Sequence, residues 1–352
     1  MTTRPSPTTH ADPAENQKGT RMTMPITKPG KWLTGVAALT ITALTLSGCG
    51  SLNKSSSDAT GGPCKDVKAG SVKSDALKGV TVKVGSKEFD EQLILGQLTV
   101  KMMCAAGATV VDNTNTKGST QTRKKLQDGV TDVVWEYTGT GWINYLGHDK
   151  PITDSQKQYD AVKKEDLAKN KLLWGPLAPF NNTYAFAVTD EFAQKNNLKT
   201  HSDMAAYIKK NPSATVCVES EFAARPDGYP GFKKAYGITG GKLKSLGTGV
   251  VYTQLDKGNC DFGEIFTTDG RLAALGLTVL DDDKGYFPLY NGVPVTRADF
   301  DKQHPEMLKV LAPLAKELTT DTMTDLNKQI SSDGEPADKI AEDFLKEKGF
   351  LK

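Results

Sequence analysis

Histidine is scarce. The 352 residues hold four, His10, His148, His201 and His304, scattered along the chain. No metal cluster or catalytic triad can be built on them, and each reads as a surface residue. The chain also lacks GxSxG, HExxH, a P-loop and GxGxxG, so it carries none of the motifs that mark common hydrolase, metalloprotease and nucleotide sites. No catalytic residue, cofactor or metal is expected. An excess of one charge is missing too: 44 Lys+Arg against 42 Asp+Glu leave a formal net charge of +2, which gives nucleic-acid binding no support. The long apolar run, Trp32 to Leu46, is too short to be a good membrane span. No internal repeat of solenoid period is seen.

What is present at the N-terminus is a targeting segment. Lys28 and Lys31 precede the apolar run, which ends in Leu46-Ser47-Gly48-Cys49. That order is a basic region, an apolar region and a small-residue cleavage site. Leu-Ser-Gly-Cys resembles a bacterial lipobox, which implies a diacylglycerol on Cys49 and an extracytoplasmic, membrane-anchored protein. Residues 1–21 are polar and add nothing to a signal peptide, which points to Met22 or Met24 as the start. Removing the first 48 residues takes away five Lys/Arg and two Asp/Glu, so the remaining chain is near −1. Ser51 to Gly62 is rich in Ser, Gly and Ala and reads as a flexible tether.

Four cysteines follow Cys49: Cys64, Cys104, Cys217 and Cys260. An even number in an oxidising place suggests two disulfides with three possible connectivities, and chain order favours Cys64–Cys104 and Cys217–Cys260. No CxxC is present, which argues against zinc or redox chemistry.

The body reads as two α/β units. Val80 to Lys87 is a β-branched strand, Phe89 to Ala106 a helix with Leu93, Ile94, Leu98 and Met102 on one face, and Gly107 its stop. A short strand at 108–111, a polar helix at 120–126 and a buried strand at 133–137 complete a β-α-β-α-β run. Pro176 and Pro179 keep 173–180 extended as a crossover. Strands follow at 184–188, 214–218, 261–266 and 277–280, with a helix at 204–210 capped by Ser202 or Asp203. The chain then returns through Tyr286 to Tyr290 and ends in helices at 307–318, 320–331 and 336–348, expected to pack on the first unit. Two such lobes joined by extended crossovers form a cleft that closes by hinge motion.

The stretch Val133 to Trp142 places Tyr137, Thr138 and Thr140 at the carboxyl end of a strand beside a helix N-terminus, where open α/β sheets bind ligands. Five blocks occur in order: Val84-Gly85-Ser86-Lys87-Glu88-Phe89-Asp90-Glu91-Gln92, Glu136-Tyr137-Thr138-Gly139-Thr140, Ser220-Glu221-Phe222-Ala223-Ala224-Arg225-Pro226-Asp227-Gly228, Thr267-Thr268-Asp269-Gly270-Arg271 and the run Leu280 to Tyr290. Together they resemble the quaternary-ammonium binding proteins of osmoprotectant ABC importers, the ProX and OpuC-type branch, over about residues 79–352.

The resemblance implies a type II periplasmic-binding-protein fold, α/β and two-lobed, each lobe a mostly parallel sheet covered by helices with the ligand cleft between them. Its segments would be a signal peptide with extra N-terminal residues (1–48), lipidated Cys49 and tether (49–78), lobe one (79–180), lobe two (181–285) and a return to lobe one (286–352). It implies a cage for a trimethylammonium head made of Tyr137, Tyr184, Phe266 and Tyr290, with Tyr137 and Tyr290 from lobe one. A carboxylate clamp falls on Lys87, Arg225 and Thr140. Phe266 stands where the family commonly has Tyr, which keeps a ring face and loses a hydroxyl. The ligand would be glycine betaine, choline, carnitine or proline betaine, the partners a permease with its ATPase, and the protein a monomer that catalyses nothing.

Chemistry agrees with that reading. A trimethylammonium group has no N–H to donate, and ring faces attract it by roughly 0.5–2 kcal/mol each. A buried carboxylate needs charge-assisted donors, which Arg and Lys supply. Other readings are a lipid-anchored enzyme acting on a choline-like head group, for which no nucleophile–base pair is visible, and a binding module for ergothioneine, an amino acid or a polyamine. A polyamine site would want several carboxylates in the cleft. Trp135 and Trp142 read as packing residues, and Asp281-Asp282-Asp283 as a solvated turn rather than a calcium loop.

Overall fold

A computed structural model describes residues 62–352. The targeting segment, Cys49 and the Ser/Gly-rich stretch up to 61 lie outside the described residues. Lobe one begins with β1 (Thr81–Lys87), α1 (Asp90–Ala105), β2 (Thr109–Thr116), α2 (Ser119–Gln127) and β3 (Val133–Tyr137). β3 runs into a short helical turn, α3 (Thr138–Thr140), and a π-helical turn (Gly141–Tyr145), followed by α4 (Ser155–Asn170) and β4 (Leu172–Trp174). Lobe two holds β5 (Tyr184–Thr189), α5 (Asp190–Asn196), α6 (His201–Lys210), β6 (Thr215–Glu219), α7 (Tyr229–Tyr236), β7 (Lys242–Leu246), α8 (Thr248–Asp256), β8 (Phe262–Phe266), α9 (Arg271–Ala274) and β9 (Leu277–Val279). The chain returns in β10 (Gly292–Arg297), α10 (Ala298–Gln303), α11 (Glu306–Glu317), α12 (Thr320–Ser331) and α13 (Ala337–Glu347).

Each lobe has one five-stranded sheet, in the orders β2-β1-β3-β10-β4 and β7-β6-β8-β5-β9. The fourth strand of each arrives from the other lobe and runs antiparallel to both its neighbours. The other two pairings in each sheet are parallel. Each sheet is therefore mostly parallel in strand direction, four strands pointing one way and the crossing strand alone entering in reverse. The crossovers themselves touch: Asn181 and Asn291 form an antiparallel bridge, and Tyr290 N–H donates to Asn181 Oδ1 at 2.6 Å.

α1 is apolar on nearly all sides. Ile94, Leu95, Leu98, Met102 and Met103 are all fully buried, because sheet strands cover one flank and α11, α12 and α13 cover another. The single face expected for it understated this. The C-terminal helices supply matching stripes, such as Ile340, Ala341, Phe344 and Leu345, at the spacing of one helical face. Burial at about 25 cal/mol per Å² makes this layer a main source of stability in lobe one.

Residues 64–78, expected within a flexible tether, pack on this lobe. Cys64 is bonded to Cys104, Leu77 is buried with its N–H on Ala106 O, and Ala69 bridges Leu351. The second disulfide joins Cys217 to Cys260 in lobe two.

Three local expectations are corrected. α6 starts at His201 and is capped by Thr200, whose hydroxyl accepts from Asp203 N–H while Asp203 accepts from Thr200 N–H. That reciprocal box outcompetes Ser202 or Asp203 alone as the cap. His201 is fully buried and not on the surface; its Nε2 accepts from Phe186 N–H at 3.2 Å. Asp282 in the acidic turn is partly buried and accepts from Phe287 N–H, so the turn is built in and not simply solvated. Among the described residues no group of three or more His, Cys, Asp or Glu is placed to hold a metal ion.

Candidate functional site

The register of the strands sets the site. β5 and β8 pair so that Tyr184 lies opposite Phe266, at the cleft end of lobe two. β3 and β10 pair so that Tyr137 lies opposite Gly292, which brings Tyr290, two residues earlier, over the turn after β3. Gly139 is required in that turn: a Cβ there would sit 2.7 Å from the Tyr290 ring. The four rings, together with Lys87, Thr140 and Arg225, all line one narrow cleft between the lobes.

A fifth ring completes the wall. Phe89 stacks on Phe266 at 5.2 Å between centroids and 12° between planes, and faces Tyr137 at 6.3 Å and 24°. Tyr184 continues the series, 5.2 Å from Phe266 and 5.1 Å from Tyr290, the last pair nearly perpendicular. Phe89 was missed although it lies inside the first sequence block. Its signal was position: it is the N-cap of α1, where a Ser, Thr, Asp or Asn is usual, and it makes no side-chain cap.

The three phenol groups are spent on the protein. Tyr137 O–H donates to Glu91 Oε1 at 2.8 Å, and Tyr290 O–H donates to Asp227 Oδ2 at 2.6 Å. The Tyr184 oxygen accepts from Arg225 Nη1 at 3.0 Å. Burial pushes all three hydroxyls well above the usual tyrosine range, so the rings are neutral. Phe266 has no such anchor, and its stack on Phe89 holds it instead.

The two basic residues are paired. Lys87 Nζ donates to Glu136 Oε2 at 3.0 Å, with both side chains buried. Arg225 gives Nε–H and one Nη2–H to Asp227 at 2.7 and 2.6 Å, its second Nη2–H to Thr140 at 3.3 Å, and its Nη1–H groups to Tyr184 and Glu221. A guanidinium has five N–H groups, and all five are engaged. Burial would raise the Asp227 carboxyl, but the Arg225 charge and the bonds it receives hold it below its ordinary value. Glu221, likewise lowered against burial by Lys87 and Arg225, also accepts from Ser119 N–H at 2.9 Å.

These contacts cross the cleft. Arg225, Asp227 and Glu221 belong to lobe two; Thr140, Asn144 and Ser119 belong to lobe one. Asn144 Nδ2 donates to Asp227 Oδ1 at 2.9 Å, and Arg271 of lobe two pairs with Asp90 of lobe one at 3.1 Å. The lobes are closed on one another. Trp135 and Trp142 stand apart from the cleft: Trp135 is core, and Trp142 stacks on His148 at 3.5 Å.

Two lobes of this topology, hinged by paired crossovers and closed over a box of rings, define a solute-binding protein. Residues 80–347 match the family model described as the substrate binding domain of ABC-type glycine betaine transport systems, and the chain belongs to that family. It is 36% identical over 279 residues to a glycine-betaine-binding protein of Pseudomonas aeruginosa, covering 77% of this chain and 89% of that one. It is 33% identical to the glycine betaine-binding protein YehZ of Escherichia coli, covering 77% and 92%. A solved glycine betaine/carnitine/choline ABC transporter structure is similar at 31% identity and a TM-score of 0.62, covering 76% of this chain and 99% of that chain.

Proposed function

We propose that this chain captures a small quaternary-ammonium solute outside the cell membrane and delivers it to an ABC permease and its ATPase. Glycine betaine, choline, carnitine and proline betaine are the candidate ligands. One observation carries the reading: five aromatic rings from both lobes border one closed cleft, with every phenol hydroxyl turned to a protein partner. The cleft thus offers ring carbon where a methylated ammonium needs it. At roughly 0.5–2 kcal/mol per ring, the box supplies a large share of the ~8 kcal/mol that micromolar binding requires.

A ligand carboxylate is received by Lys87 and Thr140. Lys87 uses one of its three N–H groups on Glu136, and the Thr140 hydroxyl accepts from Arg225 while keeping its own proton to donate. Arg225, expected in the clamp, serves chiefly to tie the lobes, since a ligand must displace one of its partners to reach it. The protein is no enzyme and binds no nucleic acid; it acts as a monomer held at the outer face by a lipid on Cys49 after cleavage of the signal peptide.

Thermal-shift titration of the purified chain against quaternary amines, amino acids and polyamines tests this. A true ligand raises the melting temperature with dose, because it binds only the folded state. A shift with trimethylammonium compounds alone is expected; a shift only with amino acids or polyamines would remove the assignment.

A further inference from the structure

We propose that Glu91 is the positioning residue that couples the aromatic box to closure of the lobes; the proposal rests on the ligand reading above. Glu91 sits in the first turn of α1, behind the box, and is 3% exposed. It accepts four hydrogen bonds from four separate parts of the chain. Tyr137 O–H, from the end of β3, reaches Oε1 at 2.8 Å, and Asn182 Nδ2, from the first crossover, reaches the same oxygen at 2.9 Å. Thr268 O–H, from the loop after β8 in lobe two, reaches Oε2 at 2.6 Å, and Asn327 Nδ2, from α12, reaches it at 2.8 Å.

No cationic side chain pairs with this carboxylate among the described contacts; the nearby Arg271 is committed to Asp90 and Asp269. A buried carboxylate without a counter-ion is costly unless all its oxygens are satisfied. The four donors therefore act together. Opening the lobes withdraws Thr268, and bending the crossover moves Asn182. What then remains on Glu91 is Tyr137, a wall of the box, and Asn327. The closed position of lobe two and the orientation of the Tyr137 ring are thus set by one group, and a ligand that needs that ring in place favours the closed form. Gln92 Nε2, which donates to the Tyr137 oxygen at 3.0 Å, supports the same ring from the neighbouring residue. Burial raises the Glu91 carboxyl above its ordinary value against these donors, in keeping with a group whose charge is held only by the complete set.

The test is ligand dissociation measured by stopped flow on the full chain, with glycine betaine and choline as probes. It is paired with the closed fraction at saturating ligand, read by a fluorophore pair placed one on each lobe. Glu91→Gln keeps the shape but turns an N–H₂ toward two donors. Dissociation about tenfold or more faster is expected, with a reduced closed fraction. Thr268→Val removes one donor at constant shape and serves if Glu91→Gln does not fold. In a double-mutant cycle the two changes are expected to be strongly non-additive, since they break one network. A residue that only stabilises the fold would lower the melting temperature and leave dissociation and closed fraction unchanged. That result, or additive effects, overturns the proposal while the ligand reading stands. Failure of the unaltered chain to bind either probe overturns both.

Discussion

Phe89 offers the sharpest single perturbation, because nothing but its place in the structure marks it as part of the box. Phe89→Ala removes one ring face, worth roughly 0.5–2 kcal/mol toward a cation. It also removes the stack at 5.2 Å that holds Phe266, which lacks a hydroxyl anchor; such a stack contributes about 0.5–1.5 kcal/mol. Together these predict a loss of about 1–3 kcal/mol, or roughly a 5- to 150-fold rise in Kd. Fold stability falls less than the ~3–5 kcal/mol typical of a fully buried Phe, because Phe89 is only half-buried and makes no helix cap. Isothermal titration with glycine betaine and with choline measures the loss, and Phe89→Leu separates its causes. If ring electrons matter, Leu binds about as weakly as Ala; if only packing matters, Leu restores binding. A Kd for Phe89→Ala within about twofold of the parent would refute the fifth wall.

Other outcomes follow from the same contacts. Replacing the buried pair together, Lys87→Met with Glu136→Gln, avoids orphaning a carboxylate and should weaken glycine betaine about tenfold or more while choline changes far less; equal losses in parallel titrations would remove Lys87 as the carboxylate donor. Glu264 is buried, its Oε1 has no partner, and burial pushes its carboxyl from 4.5 up to about 8. Its contribution to stability is fully present below pH 4.5 and is lost as pH rises through about 8. Glu264→Gln should therefore flatten the fall in denaturation free energy over that window, and an unchanged slope would contradict the burial argument. Opening Cys217–Cys260, a pair 43 residues apart, by double Ala substitution should cost ~3–4 kcal/mol and several degrees of melting temperature. Because no ring or cation of the box contacts that bond, Kd should hold; a changed Kd would show that lobe-two integrity reaches the cleft.

Much of the architecture was legible because buried strands such as Val133–Tyr137 are apolar at every residue but Glu136 and the terminal helices carry one clear stripe. α4 was not legible. Its buried face includes Gln158 and Asp166, which is satisfied by Arg123 at 2.6 Å and Trp174 at 2.7 Å, so no apolar period marks it. β7 is exposed along almost its whole length at a sheet edge and alternates nothing. The one reversed strand of each sheet escaped because strand direction across a crossover is not written in a strand's own residues. At the site, ring positions could be carried over from sequence blocks, but their partners could not. Glu91, Glu136, Glu221 and Asp227 all lie inside those blocks, and only geometry shows that they satisfy the phenols and balance the cations. Phe89 reads in the sequence as the first residue of a helix, and only the structure turns its ring to the cleft.

The most direct test of the account compares choline with 3,3-dimethyl-1-butanol, which has the same shape and no charge. The measurement is isothermal titration into the purified chain. The box of neutral rings predicts that choline binds and that the uncharged analogue binds at least about tenfold more weakly, since its attraction to the ring faces is lost. Equal binding of the two would mean that the cleft reads apolar shape alone, and absence of heat with every trimethylammonium compound would contradict the function proposed for it.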